Sequence, residues 1–314
     1  MTNKIKVGIP KAFLYYRYNI LWENFFKKLG CEVVTSPDTN KDIIEQGKEY
    51  SIDEACLSSK IYMGHVSYLS DKCDYILVPR ISDYGKNEKV CVKFNGLYDV
   101  VKNTFLFTKF IDYNIEKTKH KTEFIGLFKL GLKFSKNPFK VIYAYKYAKR
   151  KGTRNDWEIS RKQRIYNNKI KIQQELILKN KKLKILIVAH PYNIYDKYIG
   201  KPIIDFLTKM NIDILYADRL DKEISIKNSY KLSKGLYWSY SRELIGAVEY
   251  YKEKINGIIF ITAFPCGPDS LVNELLIRKI NDIPIINILI DESTAEAGLH
   301  TRLESFIDIV KQKE

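Results

Sequence analysis

KIKVGIPKAFLYYRYNILWENFFKKLGCEVVTS, residues 4–36, holds the pattern that decides the fold. KIKVGIP reads as a buried strand. From Ala12 onward, Phe13, Leu14, Ile20, Leu21, Phe25 and Leu29 recur near helical spacing. Gly30 is placed to stop that helix, and CEVVTS is a second strand. A strand, a helix and a strand with no tight hairpin between them form a parallel βα unit.

The same alternation continues along the chain. NKDIIEQGKEY and DEACLSSKIYMGHVSYL read as helices and DYILVPR as a third strand. Beyond residue 183 the plan repeats with KILIVAH, a helix after Tyr198, DILYADR, and a long helix through WSYSRELIGAVEYYKEK. GIIFITAF, a helix through DSLVNELLIRKI, PIINILI and a final helix through LHTRLESFIDIV complete it. The expected class is α/β, with two doubly wound parallel-sheet domains over 1–100 and 183–314. A basic helical connecting region over 101–182 separates them. One of its helices is expected from Asp156 to about Leu178, with Asn155 as cap and Glu158 reaching back.

Charge is concentrated in that middle. The chain of 314 residues carries a net charge of +16, and residues 101–184 alone hold 23 Lys or Arg against 6 Asp or Glu. A concentrated basic face attracts nucleic acid, an anionic membrane surface, a phosphate-rich cofactor or an acidic protein. No zinc-finger spacing or RNA-recognition signature accompanies it, so nucleic acid ranks low. The longest apolar runs, ILIVA at 185–189 and PIINILI at 284–290, are far short of a bilayer span. With no export signal in MTNKIKVGIPK, five cysteines predict reduced thiols in a soluble cytoplasmic protein.

Several chemistries lack their motif. There is no G-x-G-x-x-G turn after the first strand, no G-x-x-x-x-G-K-[ST] phosphate loop and no G-x-S-x-G elbow. The four histidines, 65, 120, 190 and 300, form no zinc spacing. His190 and His300 read equally well as satisfied turn or helix residues and as ligands.

Three thiols carry the strongest chemical signal. Cys56 lies beside Asp53 and Glu54 at a helix start, Cys91 closes a short apolar run, and Cys266 sits between Pro265 and Gly267 at a strand mouth. Strand-to-helix mouths are where open α/β sheets place ligands. Taken singly, a cysteine is more often a small core hydrophobe. Cys31 and Cys73, each just ahead of an apolar strand, are assigned that structural role. Three thiolates on one iron-sulfur cube would leave an iron open for chemistry.

IPKAFLYYRYNILWENFFKKLG, SIDEACLSSKIYMGHV, VCVKFNGLYDVVKN, AHPYNIYD, WSYSRELIGA, FPCGPDSLVNEL and DESTAEAGLHTRLESFIDIV together resemble the superfamily of 2-hydroxyacyl-CoA dehydratase components and their activase-related proteins. The resemblance implies two flavodoxin-like domains holding an open-cornered 4Fe-4S cluster between them, or a double-cubane 8Fe-9S cluster. The matching ligands are Cys56, Cys91 and Cys266. Ser58, Ser59, Lys60, His65 and Glu54 stand near the first of these. It further implies an ATP-dependent iron-sulfur activator as electron donor, an acyl-CoA or related small molecule as substrate, and a homodimer or a heterodimer with a homologous subunit. The alternative is a non-catalytic accessory or regulatory subunit whose cluster is structural or absent.

Overall fold

The structure is a computed structural model that describes residues 4–155, 182–294 and 296–313. The expected helix over 156–178 lies outside them. Two compact units divide the chain. The first runs through Asn155 and also takes Tyr237–Ser239; the second takes the rest of the chain beyond Asn155.

In the first unit, β1 (Lys6–Ile9) lies between β2 (Glu32–Thr35) and β3 (Tyr75–Leu77), and β5 (Phe110–Ile111) extends the sheet beyond β3. All these pairs are parallel. Between β1 and β2 runs α1 (Tyr15–Leu29), which buries Leu21, Trp22, Phe25, Phe26 and Leu29 along one stripe. Gly30 ends it as the sequence predicts, at φ 99°, a left-handed conformation that a side chain would strain. The final carbonyl of α1, on Leu29, accepts a hydrogen bond from Lys140 Nζ at 3.0 Å, a cation at the negative helix end.

Two helices separate β2 from β3. The first, α2 (Lys41–Glu49), is capped by Asn40, whose side chain accepts from the Ile43 N–H at 3.0 Å. The second, α3 (Leu57–Leu69), is buried almost all round. They cross with glycine against backbone: a Cβ on Gly64 would lie 1.8 Å from Ile43 O, and one on Gly47 would lie 2.0 Å from Lys60 O.

The segment expected to be purely helical contains strands. β4 (Arg80–Asp83) pairs in parallel with β6 (Asn114–Glu116), and β5 also falls beyond residue 100. α4 (Lys93–Thr104), α5 (Glu123–Gly131) and a helix over 138–155, α6, complete the unit. Asn155 is itself helical and is the last described residue of α6; the helix it is expected to cap lies outside the described residues.

The second unit repeats the plan. Its sheet runs β8 (Asp213–Tyr216), β7 (Lys184–Val188), β9 (Gly257–Ala263), β10 (Ile285–Ile290), all parallel. Every residue of β9 is buried, as expected for a central strand covered on both faces. α7 (Pro191–Ile194) and α8 (Lys201–Lys209) follow β7, and α9 (Lys222–Leu232) and α10 (Ser239–Tyr251) follow β8. α11 (Gly267–Lys279) and α12 (Glu296–Gln312) follow β9 and β10. A Cβ on Gly246 of α10 would lie 1.8 Å from Ser225 O of α9, the same crossing as in the first unit. Both sheets thus read second, first, third, last strand, the flavodoxin-like order. Among the described residues no helix is long and apolar enough to cross a membrane.

Candidate functional site

Connectivity sets the location of the three singled-out thiols. In a parallel βαβ unit the helix runs back against the strands, so its amino terminus lies at the carboxyl edge of the sheet. Cys56 is the N-cap of α3, where its carbonyl accepts from the Ser59 N–H at 2.7 Å. Its Sγ lies 3.3 Å from Ser59 Oγ. Cys91 stands one residue ahead of the N-cap of α4, its carbonyl accepting from the Phe94 N–H at 3.0 Å. Cys266 is the N-cap of α11; its carbonyl accepts from both the N–H and the hydroxyl of Ser270, at 3.1 and 2.8 Å. The Phe264-Pro265 peptide just before it is cis.

All three thiols are half-buried, and none of the five cysteines is in a disulfide. Cys56 and Cys91 belong to the first unit and Cys266 to the second. Among the described residues no group of three or more His, Cys, Asp or Glu side chains is arranged to hold a metal ion. In donor chemistry the three positions still fit an iron-sulfur centre, since each offers thiol sulfur next to helix N–H groups at the ligand-binding edge of a sheet.

Cys31 and Cys73 differ from these. Cys31 is buried, and Cys73 packs so closely on β1 that a Cβ on Gly8 would meet its Sγ at 2.9 Å. Burial pushes both thiols up to about 11. At pH 8 about one in a thousand of each is thiolate, so alkylation by iodoacetamide is expected to leave Cys31 and Cys73 unmodified long after an exposed thiol has reacted. Peptide mapping over time reads this, and early labelling of either would contradict their structural role.

Ser58, Ser59, Lys60 and His65 are all buried along α3. His65 Nε2 meets Thr39 Oγ1 at 3.1 Å, and burial, helped by the Lys11 charge, pushes its imidazole down to about 3. His65 is a neutral core residue of the first unit. Where β1 and β3 end, Pro10, Phe13, Tyr62, Pro79, Phe94 and Leu97 enclose a small apolar pocket at that sheet's topological switch point.

At the corresponding point of the second sheet, where β7 and β9 end, His190 Nε2 and Asp269 Oδ1 lie 2.9 Å apart, both buried. Nδ1 is buried and meets no partner. The ring stacks on Tyr192, centroids 5.1 Å apart. Oriented in this way by a carboxylate, an imidazole has its other nitrogen available for proton transfer. Sequence reading leaves His190 open between a turn or helix residue and a ligand, and passes over Asp269. The readable signal is a histidine closing the strand ILIVAH and an aspartate three residues after Cys266.

A family model described as "CoA enzyme activase uncharacterised domain (DUF2229)" matches residues 6–220. The chain belongs to this family. The span matched by the CoA enzyme activase domain contains Cys56 and Cys91 and ends before Cys266. No curated protein matches the chain. A solved structure similar to it is the "Crystal structure of sugar transporter from Clostridium phytofermentans", at 13% identity and TM-score 0.22, covering 93% of this chain and 98% of that one.

Proposed function

We propose that this CoA enzyme activase-family protein is an iron-sulfur component of an acyl-CoA enzyme system, with Cys56, Cys91 and Cys266 as its cluster ligands. The observation that carries the proposal is that these three thiols, unlike Cys31 and Cys73, each stand at, or one residue before, the N-cap of a helix that follows a parallel strand. Family membership supports a role in CoA-enzyme activation. The bound group, a 4Fe-4S or double-cubane 8Fe-9S cluster, would supply low-potential one-electron chemistry. The chain lacks a phosphate loop, so the electron is assigned to a separate ATP-dependent iron-sulfur activator. In this reading the protein is of the 2-hydroxyacyl-CoA dehydratase type. It acts on an acyl-CoA or a related small molecule in the cytoplasm, as a homodimer or with a homologous subunit.

Iron and acid-labile sulfide measured after anaerobic purification or reconstitution test this directly. About four irons per chain, or about eight for the double cubane, are expected in the parent. The single variants Cys56→Ala, Cys91→Ala and Cys266→Ala are each expected to lose the cluster. A second reading is favoured by the absence, among the described residues, of a gathered ligand set. It makes the chain an accessory subunit with a structural or absent cluster. No iron in the parent would decide for it.

A further inference from the structure

We propose that Arg219 is an oxyanion anchor at the carboxyl edge of the second sheet, built to take the phosphate of a phosphorylated small molecule. Arg219 follows β8 directly, on the loop that leaves the sheet at its ligand-binding edge. Its guanidinium is half-buried and fixed on three sides. Nε donates to Tyr195 Oη at 3.0 Å, and the guanidinium carbon lies 4.1 Å from the centre of the Tyr216 ring and 5.5 Å from that of Tyr195. Tyr195 stands at the end of α7, the same short helix that begins at His190.

Among the described residues the acid whose charge acts on this arginine is Asp218, and its Oδ2 accepts the Tyr195 hydroxyl at 2.8 Å. Burial and the Asp218 charge push that tyrosine well above its usual range, so it stays a neutral donor. Burial opposes the charge on Arg219, but Tyr195 and then Asp218 hold its guanidinium above the ordinary range, so the anchor binds against one neighbouring carboxylate. Among the described residues Arg219 forms no ion pair and no hydrogen bond beyond the one through Nε. The donors on both Nη groups are thus held rigid, stacked and without an acceptor. A planar fork of this kind matches two oxygens of a phosphate or pyrophosphate, and a lysine's point charge does not. Arg80, by contrast, turns its fork onto both oxygens of Asp99.

The anchor rests on the acyl-CoA reading above only for the identity of its natural ligand, because CoA carries the phosphates it would hold. Calorimetric titration of the full chain with inorganic pyrophosphate, CoA and phosphate-free pantetheine tests it, in the parent, R219Q and R219K. Pyrophosphate and CoA are expected to bind the parent, and R219Q to weaken both about tenfold or more with an unchanged melting temperature. R219K, which keeps the charge and loses the fork, is expected to fall between the two. Equal binding by parent and R219Q, or no binding of pyrophosphate to the parent, overturns the anchor. Pyrophosphate binding with none for CoA supports the anchor and refutes the acyl-CoA reading. CoA binding that R219Q leaves intact does the reverse.

Discussion

Gly64→Ala is expected to destabilise the first unit by about 3 kcal/mol or more, the upper end of overpacking costs. The added methyl would sit 1.8 Å from Ile43 O, and the obstacle is a backbone carbonyl in the first turn of α2. A side chain can rotate away; a carbonyl held in a helix cannot. Relief therefore requires α2 and α3 to move apart, which opens the packing around Ile43, Ile44, Ile61 and Leu57, all nearly inaccessible to solvent. Gly246→Ala meets Ser225 O at the same 1.8 Å and is expected to cost the second unit as much. Gly96→Ala supplies the control. It lies inside α4 with no atom within 4 Å of the new methyl, and the better helix propensity of alanine should stabilise by about 0.5–1 kcal/mol. Urea midpoints of the three variants test the prediction, and a Gly64→Ala midpoint equal to the parent's would refute the close crossing.

The second large effect is with pH. His65 is inaccessible to solvent, and burial with the Lys11 charge holds its imidazole down at about 3, the nearby Asp38 carboxylate opposing them only in part. Its unfolded value is about 6.5. Between these limits the unfolded chain binds a proton that the folded chain refuses. The stabilisation is therefore complete above about pH 6.5 and is lost as pH falls toward 3. From pH 7 to pH 4.5 this one residue is expected to cost about 2–3 kcal/mol. His65→Gln keeps a polar group for Thr39 and cannot titrate there, so its unfolding free energy should lose about that much less over the same interval. Parallel pH profiles for parent and variant would show that His65 is protonated in the native state.

What the sequence shows of this fold depends on whether a buried face is made of apolar residues. α1 is legible because Leu21, Phe25 and Leu29 mark its stripe and Gly30 its end. β9 is legible because it is one unbroken apolar run. By contrast, α9 escapes, since its buried face is Ser225, Ser229 and Leu232. Small residues are required where Gly246 brings α10 against it, and small polar residues leave no hydrophobic period to read. β5 and β6, of two and three residues, are too short to show alternation. At the site, the helix-start positions of Cys56 and Cys266 follow from local signals. The His190–Asp269 pair joins residues 79 apart through adjacent strands, a proximity that only the sheet order supplies.

The segment that precedes Cys91 carries a further consequence, for synthesis. Lys89 bridges in parallel to Trp238, and its carbonyl accepts from the Ser239 N–H at 2.8 Å, within the first unit. A ribosome that has released residue 155 has therefore not yet provided everything this unit uses. The loop leading to Cys91 must wait for residue 239, seconds later at ordinary elongation rates. Any group that Cys91 helps to hold would be fitted only after residue 239 has emerged, and a message truncated in between would leave that loop without its bridge to Trp238.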